Sequence, residues 1–179
     1  MPRKGYRPKF TRTKFPLTVE QQRTLLKKTE GDANILLALL LSTGMHPDVL
    51  ANKGCVLEWT ETYVAWKRPK TYKAIQFPWS KLMKPRTVEI KPIKDKSRQW
   101  YWQLVRDAGR KVGISGLCPL QCRHTYFVNR ARLGHNAYDI AHSSGTDMET
   151  VYNHYTTGMS ESKNLEPEDR AFLEQLMEP

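Results

Sequence analysis

The residues with the clearest chemical capacity lie between positions 119 and 156 of the sequence. Arg123 is followed after 23 residues by Thr146 and after nine more by Tyr155. A guanidinium group presents several N–H donors to an anion. A tyrosine hydroxyl, with an ordinary pKa of about 10, becomes a nucleophile once it loses its proton. This segment therefore holds residue types that can bind an anion and form a covalent bond.

Three short helices are predicted to carry these residues. The first begins at Pro119, whose fixed φ suits the first helical position, and ends at Gly134. Arg123 then lies in its first turn. The second is predicted to run from an N-cap at Asn136 to Gly145.

The third predicted helix carries two tyrosines. Thr146 and Glu149 have the spacing of a capping box at its start, and Tyr152 and Tyr155 follow. Both tyrosines are candidate nucleophiles on residue type alone.

These motifs resemble the C-terminal part of the tyrosine recombinases, or integrases, which break and rejoin DNA through a phosphotyrosine. In that family an R-H-T-[FY] helix start is followed by a Gly-His or Gly-Thr turn and then by the nucleophilic tyrosine. Here RHTY begins at Arg123, the turn is Gly145-Thr146, and the motif NHYT contains Tyr155. The resemblance extends from about Pro16 to Thr157, which is one catalytic domain.

The resemblance implies a role for each of three residues. Tyr155 would attack a DNA phosphodiester and leave a 3′-phosphotyrosine and a free 5′-hydroxyl. Arg123 would clamp the phosphate, and Lys70, in a K-T-x-K hairpin turn, would be the general acid. Tyr152 is the competing nucleophile, but it requires His142 as the turn residue and breaks the spacing. No ATP, metal or other cofactor is required, because one ester replaces another.

Three positions depart from the family pattern. His46 of the motif TGMH stands where the family has an arginine. Leu120 stands where the family usually has a histidine or tyrosine, three residues before Arg123. Thr146 stands where histidine is commonest. Both His46 and Thr146 are still predicted to be catalytic, which makes five such residues with Tyr155, Arg123 and Lys70. Histidine cannot make the bidentate contact of arginine with a phosphate. Two interpretations follow: a recombinase weakened by these changes, or a catalytically inactive DNA-binding descendant.

The charge of the chain favours a polyanionic partner. The net charge is +11, and residues 67 to 99 hold eleven basic residues against two acids. Double-stranded DNA is the partner that the resemblance implies, and an RNA-binding basic domain is the alternative from charge alone. DNA contacts are predicted from six further residues, namely Lys67, Arg68, Lys73, His124, Arg130 and His142.

Cysteine usage and hydropathy limit the compartment. The three cysteines, Cys55, Cys118 and Cys122, form no C-x-x-C pair, so neither a disulfide framework nor a structural zinc site is expected. They are interpreted as reduced, small core residues. No apolar run reaches the length of a membrane span, so we expect a soluble protein in the cytoplasm, associated with the nucleoid or with its target DNA.

The predicted fold is mostly α-helical with a small antiparallel sheet of three strands. A helix is expected from the capping box of Thr18, and a second, very apolar helix from a cap at Asp32. Alternating residues predict strands over 56–59, 63–66 and 74–77, the last ended by Pro78. A loop or strand pair is expected over 80–96. A helix follows over 97–113, with a buried stripe of Trp100, Leu104, Ala108 and Val112.

Three regions are expected along the chain. Residues 1–15 form a basic arm or linker, 16–157 a catalytic-type DNA-binding domain, and 158–179 a linker and an acidic helix. The resemblance favours self-association on DNA through that last helix. Family members also close on DNA with an N-terminal core-binding domain, so this chain alone is expected to be monomeric and to bind DNA weakly.

Overall fold

The computed structural model describes residues 15–52, 54–67 and 74–179. Within these residues the chain is mostly helical, with one antiparallel sheet of order β1-β2-β3, as predicted. The elements are α1 (Val19–Lys28), α2 (Gly31–Thr43), α3 (Pro47–Ala51), β1 (Val56–Trp59), β2 (Tyr63–Lys67), β3 (Ala74–Pro78), a 3₁₀ helix (Lys84–Ile93), α4 (Arg98–Lys111), α5 (Pro119–Arg132), α6 (Ala137–Ser144), α7 (Met148–Ser162) and α8 (Pro167–Met177).

Helix α2 is the centre of the core. Every residue from Ile35 to Thr43 is buried, because α1, α4, α5, α8 and the 3₁₀ helix pack around it. Its predecessor α1 begins with the predicted capping box, in which Thr18 and Gln21 bond each other's backbone N–H. The predicted cap at Asp32 is wrong. The N-cap of α2 is Glu30, and Asp32 lies in the first turn, where an acid favours the helix dipole.

The sheet confirms the strands predicted from alternation. Val64 pairs with Phe77 and Trp66 pairs with Ile75, and all four side chains are buried on one face. The intervening residues of β3 are exposed, as expected of a sheet with one solvated face.

One prediction between β3 and α5 is wrong, and another is confirmed in part. Residues 84–93 form a 3₁₀ helix, where a loop or strand pair was expected. In α4 the predicted stripe residue Ala108 is buried together with Tyr101 and Val105, whereas Trp100 and Leu104 are only half-buried. The Tyr101 hydroxyl donates to the Ile93 carbonyl at 2.6 Å, so the polar tip of this ring is satisfied inside the core.

Helices α5, α6 and α7 occupy the segment that holds the candidate residues. Asn136 caps α6 and Gly145 ends it in the left-handed conformation, as predicted. The third helix is capped by Asp147 and not by Thr146. It also continues to Ser162, so the linker predicted from residue 158 is wrong. Gly158 is buried against α5, and α7 continues through this glycine although glycine is typical of a helix end.

Helix α8 packs on its own chain. Leu173, Leu176 and Met177 are fully buried, and the backbone N–H groups of Lys81 and Leu82 donate to carbonyls at the end of the helix. The acidic helix predicted in the last region of the chain is confirmed.

The three cysteines lie in or beside the core. Cys118 and Cys122 are buried, and Cys55 is half-buried. Burial raises the pKa of the Cys122 thiol well above its ordinary value. None of the helices in the described part of the chain has the length and apolar character needed to cross a bilayer.

Candidate active site

Arg123 lies in the first turn of α5, and its side chain is only 4% exposed. The guanidinium donates to the carbonyl of Gly44, at the end of α2, and at 3.5 Å to the carbonyl of Ser144, at the end of α6. It also lies 5.1 Å from the centre of the Phe127 ring. These contacts bring the turn after α2 and the turn after α6 to the start of α5.

The turn after α2 requires glycine at position 44. Gly44 has a φ of 62°, and a Cβ atom there would lie 2.4 Å from the Tyr126 ring. A side chain at this position would therefore displace either α5 or the turn that precedes His46.

His46 stands two residues after Gly44 and caps α3. Its Nδ1 accepts the Asp48 N–H at 3.2 Å and lies 3.5 Å from the Asp48 carboxylate. The second carboxylate oxygen of Asp48 lies 3.3 Å from Nε of Arg98. The backbone N–H of Asp48 thus orients the imidazole at the position of the family arginine, and the Asp48 carboxylate lies near both this ring and Arg98.

The turn after α6 opens onto a cleft of about 490 Å³. Thr146 is on one wall, and its N–H donates to the Ala141 carbonyl, which fixes the turn. The opposite wall is the start of β3. The lining residues are Ala74, Ile75, Gln76, Ala141, His142, Ser143, Gly145 and Thr146.

The two candidate tyrosines differ in their surroundings. Tyr155 is half-buried and packs against the core, whereas Tyr152 is 54% exposed. Their rings meet edge-on with centres 6.1 Å apart. The phenol of Tyr155 is therefore the better fixed of the two.

A stack of histidines joins α5 to α7 beside these residues. The rings of His124 and His154 are 4.1 Å apart at 25°, and the Phe127 ring lies 6.2 Å from His154. Burial lowers the pKa of His154 from its ordinary value.

Comparison with solved structures identifies the fold. The crystal structure of XerA recombinase superposes with a TM-score of 0.66 at 17% identity, over 84% of this chain and 64% of XerA. The Tn1549 transposon integrase in complex with transposon right end DNA gives 0.62 at 14%, over 87% of this chain and 67% of that one. The integrase from mycobacterium phage Brujita gives 0.61 at 12%, over 90% and 57%.

The chain has the fold of the tyrosine recombinase catalytic domains. No protein-family model matches the sequence, and no curated protein matches it. The chain spans about half to two thirds of the length of these structures. The recombinase fold therefore accounts for the arrangement of helices and sheet, whereas the roles of the site residues depend on their own geometry.

Within the recombinase fold, three of the five predicted catalytic residues are brought together by the hydrogen bonds of Arg123. These are Arg123 itself, His46 after Gly44, and Thr146 after Ser144. Tyr155 lies on α7, one residue from the stack that contacts α5. Lys70 lies outside the described residues, as do the predicted DNA contacts Arg68 and Lys73.

The other four residues that were predicted to contact DNA lie in different environments. His142 is exposed on the cleft and stacks at 6.2 Å on Tyr138, and Lys67 ends β2. His124 is engaged in the histidine stack. Arg130, only 13% exposed, pairs with the Glu178 carboxylate at 2.8 Å, and its DNA contact stays a prediction.

Sequence reasoning missed the stacked pair. Its only sequence signal is position, since His124 directly follows Arg123 and His154 directly precedes Tyr155. A contact between two histidines 30 residues apart cannot be predicted without knowing that α7 packs on α5.

Proposed function

We propose that the chain is the catalytic part of a site-specific DNA recombinase, or integrase, that cleaves and rejoins double-stranded DNA through Tyr155. The observation that carries this proposal is the pair of hydrogen bonds from Arg123 to the carbonyls of Gly44 and Ser144. A basic side chain that contacts the turns before His46 and Thr146 supports one proposed phosphate position shared by these residues. The recombinase fold supports the same reading.

The proposed reaction is a transesterification. The Tyr155 oxygen bonds to the scissile phosphorus, and the bond from phosphorus to the 5′-oxygen breaks. The phenol loses its proton, and the leaving 5′-oxygen gains one, for which Lys70 is the proposed donor. In the sequence Lys70 precedes Ala74 by four positions, and Ala74 lines the cleft. Rejoining reverses these steps with a new 5′-hydroxyl.

Arg123, His46 and Thr146 are proposed to stabilise the negative charge of the transition state. The transition state places negative charge on the non-bridging phosphate oxygens, and donors that are already oriented need no reorganisation when that charge develops. The two carbonyl bonds orient Arg123, and Asp48 orients His46. Loss of one well-placed donor typically costs about 10²–10³ in rate, so a chain with histidine at position 46 is expected to be slow.

DNA binding is proposed to rest on charge. The net charge of +11 favours phosphate contacts, and affinity is expected to fall steeply as salt rises. Charge alone does not distinguish DNA from RNA, and the recombinase fold is the reason to expect that duplex DNA competes better than RNA at equal phosphate concentration. A preference for RNA would favour the alternative of a basic RNA-binding domain.

Self-association on DNA is proposed to use α8. This helix buries Leu173, Leu176 and Met177 on its own chain, so it must leave that surface before it can bind a second copy. We expect a monomer in solution and a larger complex on DNA, which sedimentation with and without duplex measures.

A covalent-adduct assay tests the proposed reaction. The protein is incubated with a library of nicked duplexes, and material that stays attached under denaturing conditions is sequenced. An adduct that vanishes in Tyr155→Phe and persists in Tyr152→Phe is expected. The converse result would move the nucleophile to Tyr152.

A DNA-binding protein without catalysis is the second candidate. It is favoured by the replacement of the family arginine by His46, whose Nδ1 is already engaged by Asp48. This candidate predicts salt-dependent duplex binding with no adduct on any nicked duplex. The same assay therefore separates the two.

A further inference from the structure

The face of α7 that packs on α5 contains a half-buried histidine. Val151 and Gly158 are buried against the rest of the molecule, and His154 lies between them at helical spacing. Gly158 makes a backbone approach to α5 in which an added Cβ atom would lie 2.4 Å from the Val128 carbonyl oxygen. At that point the two helices are in backbone contact and cannot come closer.

His154 makes the second contact of this face with α5. Its ring stacks on His124 with centres 4.1 Å apart and lies 6.2 Å from the Phe127 ring. The stack lies about one helical turn from Gly158. Beyond Gly158, Glu161 pairs with Arg132 of α5 at 2.5 Å, so the stack is the contact that holds the His154 end of this interface.

The stack adjoins both chemical groups of the proposed site. His124 follows Arg123 in the chain, and the Arg123 guanidinium lies 5.1 Å from the centre of the Phe127 ring. His154 precedes Tyr155, whose Cα is displaced by about 1.5 Å along the helix and about 100° around it. The Phe127 ring is thus shared by Arg123 and by the residue next to Tyr155.

We propose that His154 is a positioning residue: by stacking on His124 and Phe127 it sets where α7 holds the Tyr155 phenol relative to Arg123. This inference rests on the proposed recombinase function. A flat ring between α5 and α7 is the feature that matters, because it acts as a spacer of fixed thickness. Removing the ring lets α7 tilt towards α5 about the Gly158 contact.

The chemistry of histidine suits this position near neutral pH. Burial favours the neutral form of His154, and a neutral ring can stack on another imidazole without repulsion between like charges. An aliphatic side chain would fill part of the volume but would lack the flat faces.

The test compares three variants. His154→Ala removes the ring, His154→Phe keeps a flat ring, and His135→Ala removes a histidine far from the site, where it pairs with Glu178. The first readout is the rate of adduct formation at saturating nicked duplex, alongside the affinity for that duplex. The second readout is the ¹⁹F NMR resonance of 3-fluorotyrosine introduced at position 155, which needs no DNA.

In His154→Ala the adduct rate is expected to fall about 10²-fold, because a displacement of about 1 Å has this effect on a positioned nucleophile, while duplex affinity stays within about twofold. The fluorine resonance is expected to shift and broaden or split. His154→Phe should restore a single resonance and most of the rate, and His135→Ala should match the unaltered protein.

The two readouts separate this inference from the proposed function. If the unaltered protein forms no adduct on any duplex, the recombinase function is refuted and the inference falls with it as a statement about catalysis. If it forms an adduct, and His154→Ala changes neither the rate nor the resonance, only the positioning role is refuted. Failure of His154→Phe to restore either readout also refutes it, because the flat ring would then not be the active feature.

Discussion

The Arg123 guanidinium donates a hydrogen bond to the backbone carbonyl of Gly44, which lies 79 residues earlier in the chain. Because Gly44 is followed closely by His46, this one bond brings the central helix of the core to the start of α5. A buried arginine that holds backbone in this way has a structural task in addition to any contact with a phosphate. Substitutions at the site are therefore expected to change stability as well as activity.

Arg123→Ala should destabilise the fold and abolish the adduct. The carbonyls of Gly44 and Ser144 lose their donor, and an unsatisfied buried acceptor costs about 1–3 kcal/mol. Urea denaturation followed by circular dichroism measures the change. The matched control is Arg110→Ala, since Arg110 is an exposed partner of Asp107 and its loss should leave the urea midpoint almost unchanged. Equal midpoints for both variants would contradict a structural role for Arg123.

His46→Arg should raise the adduct rate at a cost in stability. An arginine restores bidentate donation to the phosphate, which corresponds to a gain of about 10²–10³ in rate. The new side chain cannot accept the Asp48 N–H at the start of α3, and loss of an N-cap costs about 1 kcal/mol. Single-turnover adduct formation and thermal unfolding measure the two effects. His46→Gln is the control, and an arginine variant no faster than it would show that position 46 does not meet the phosphate.

Gly158→Ala should destabilise the protein although alanine is the better helix former. The propensity gain is about 1 kcal/mol, but the added methyl would lie 2.4 Å from the Val128 carbonyl oxygen and 2.6 Å from Cβ of Ala131. Overpacking of this kind costs about 1–3 kcal/mol. We therefore expect a lower urea midpoint, and a lower adduct rate because α7 moves. Thr157→Ala, on the exposed side of α7, is the control, and a gain in stability in Gly158→Ala would disprove the close approach.

The stability of the protein should fall as the pH drops below about 6.5, in part because of His154. Burial lowers the pKa of His154 in the folded state, whereas in the unfolded chain the pKa is about 6.5. Between the two values the unfolded chain binds more protons, so acid favours unfolding. Below the lowered pKa of the folded state the effect is complete.

The comparison of His154→Phe with the unaltered protein isolates this contribution. Urea midpoints at pH 7.5 and at pH 5.5 are measured for both proteins, and the variant should lose less stability on acidification. Parallel losses in the two proteins would assign the acid sensitivity to other groups.

Local patterns accounted for much of the fold. The strands at 56–59, 63–66 and 74–77 were predictable because alternation follows directly from the pleat of a half-buried strand. The caps at Thr18 and Asn136 depend on bonds between residues three positions apart. Such features need no knowledge of the rest of the chain.

Features that depend on distant partners were not predictable. The choice between Trp100 and Tyr101 as the buried ring of α4 depends on the Ile93 carbonyl, which satisfies the tyrosine hydroxyl. The continuation of α7 through Gly158 depends on the closeness of α5, and the pairing of Arg130 with Glu178 depends on the packing of α8.

The sequence by itself determined the class of fold and the residue types, with the spacing that relates Arg123, Thr146 and Tyr155. Only the tertiary structure decided that Arg123 is buried on the carbonyls of Gly44 and Ser144, and that His154 stacks on His124. The physical reason is that periodicity and capping act within one or two turns of chain. Burial, stacking and the pairing of charges instead depend on which surfaces meet when the helices pack around α2.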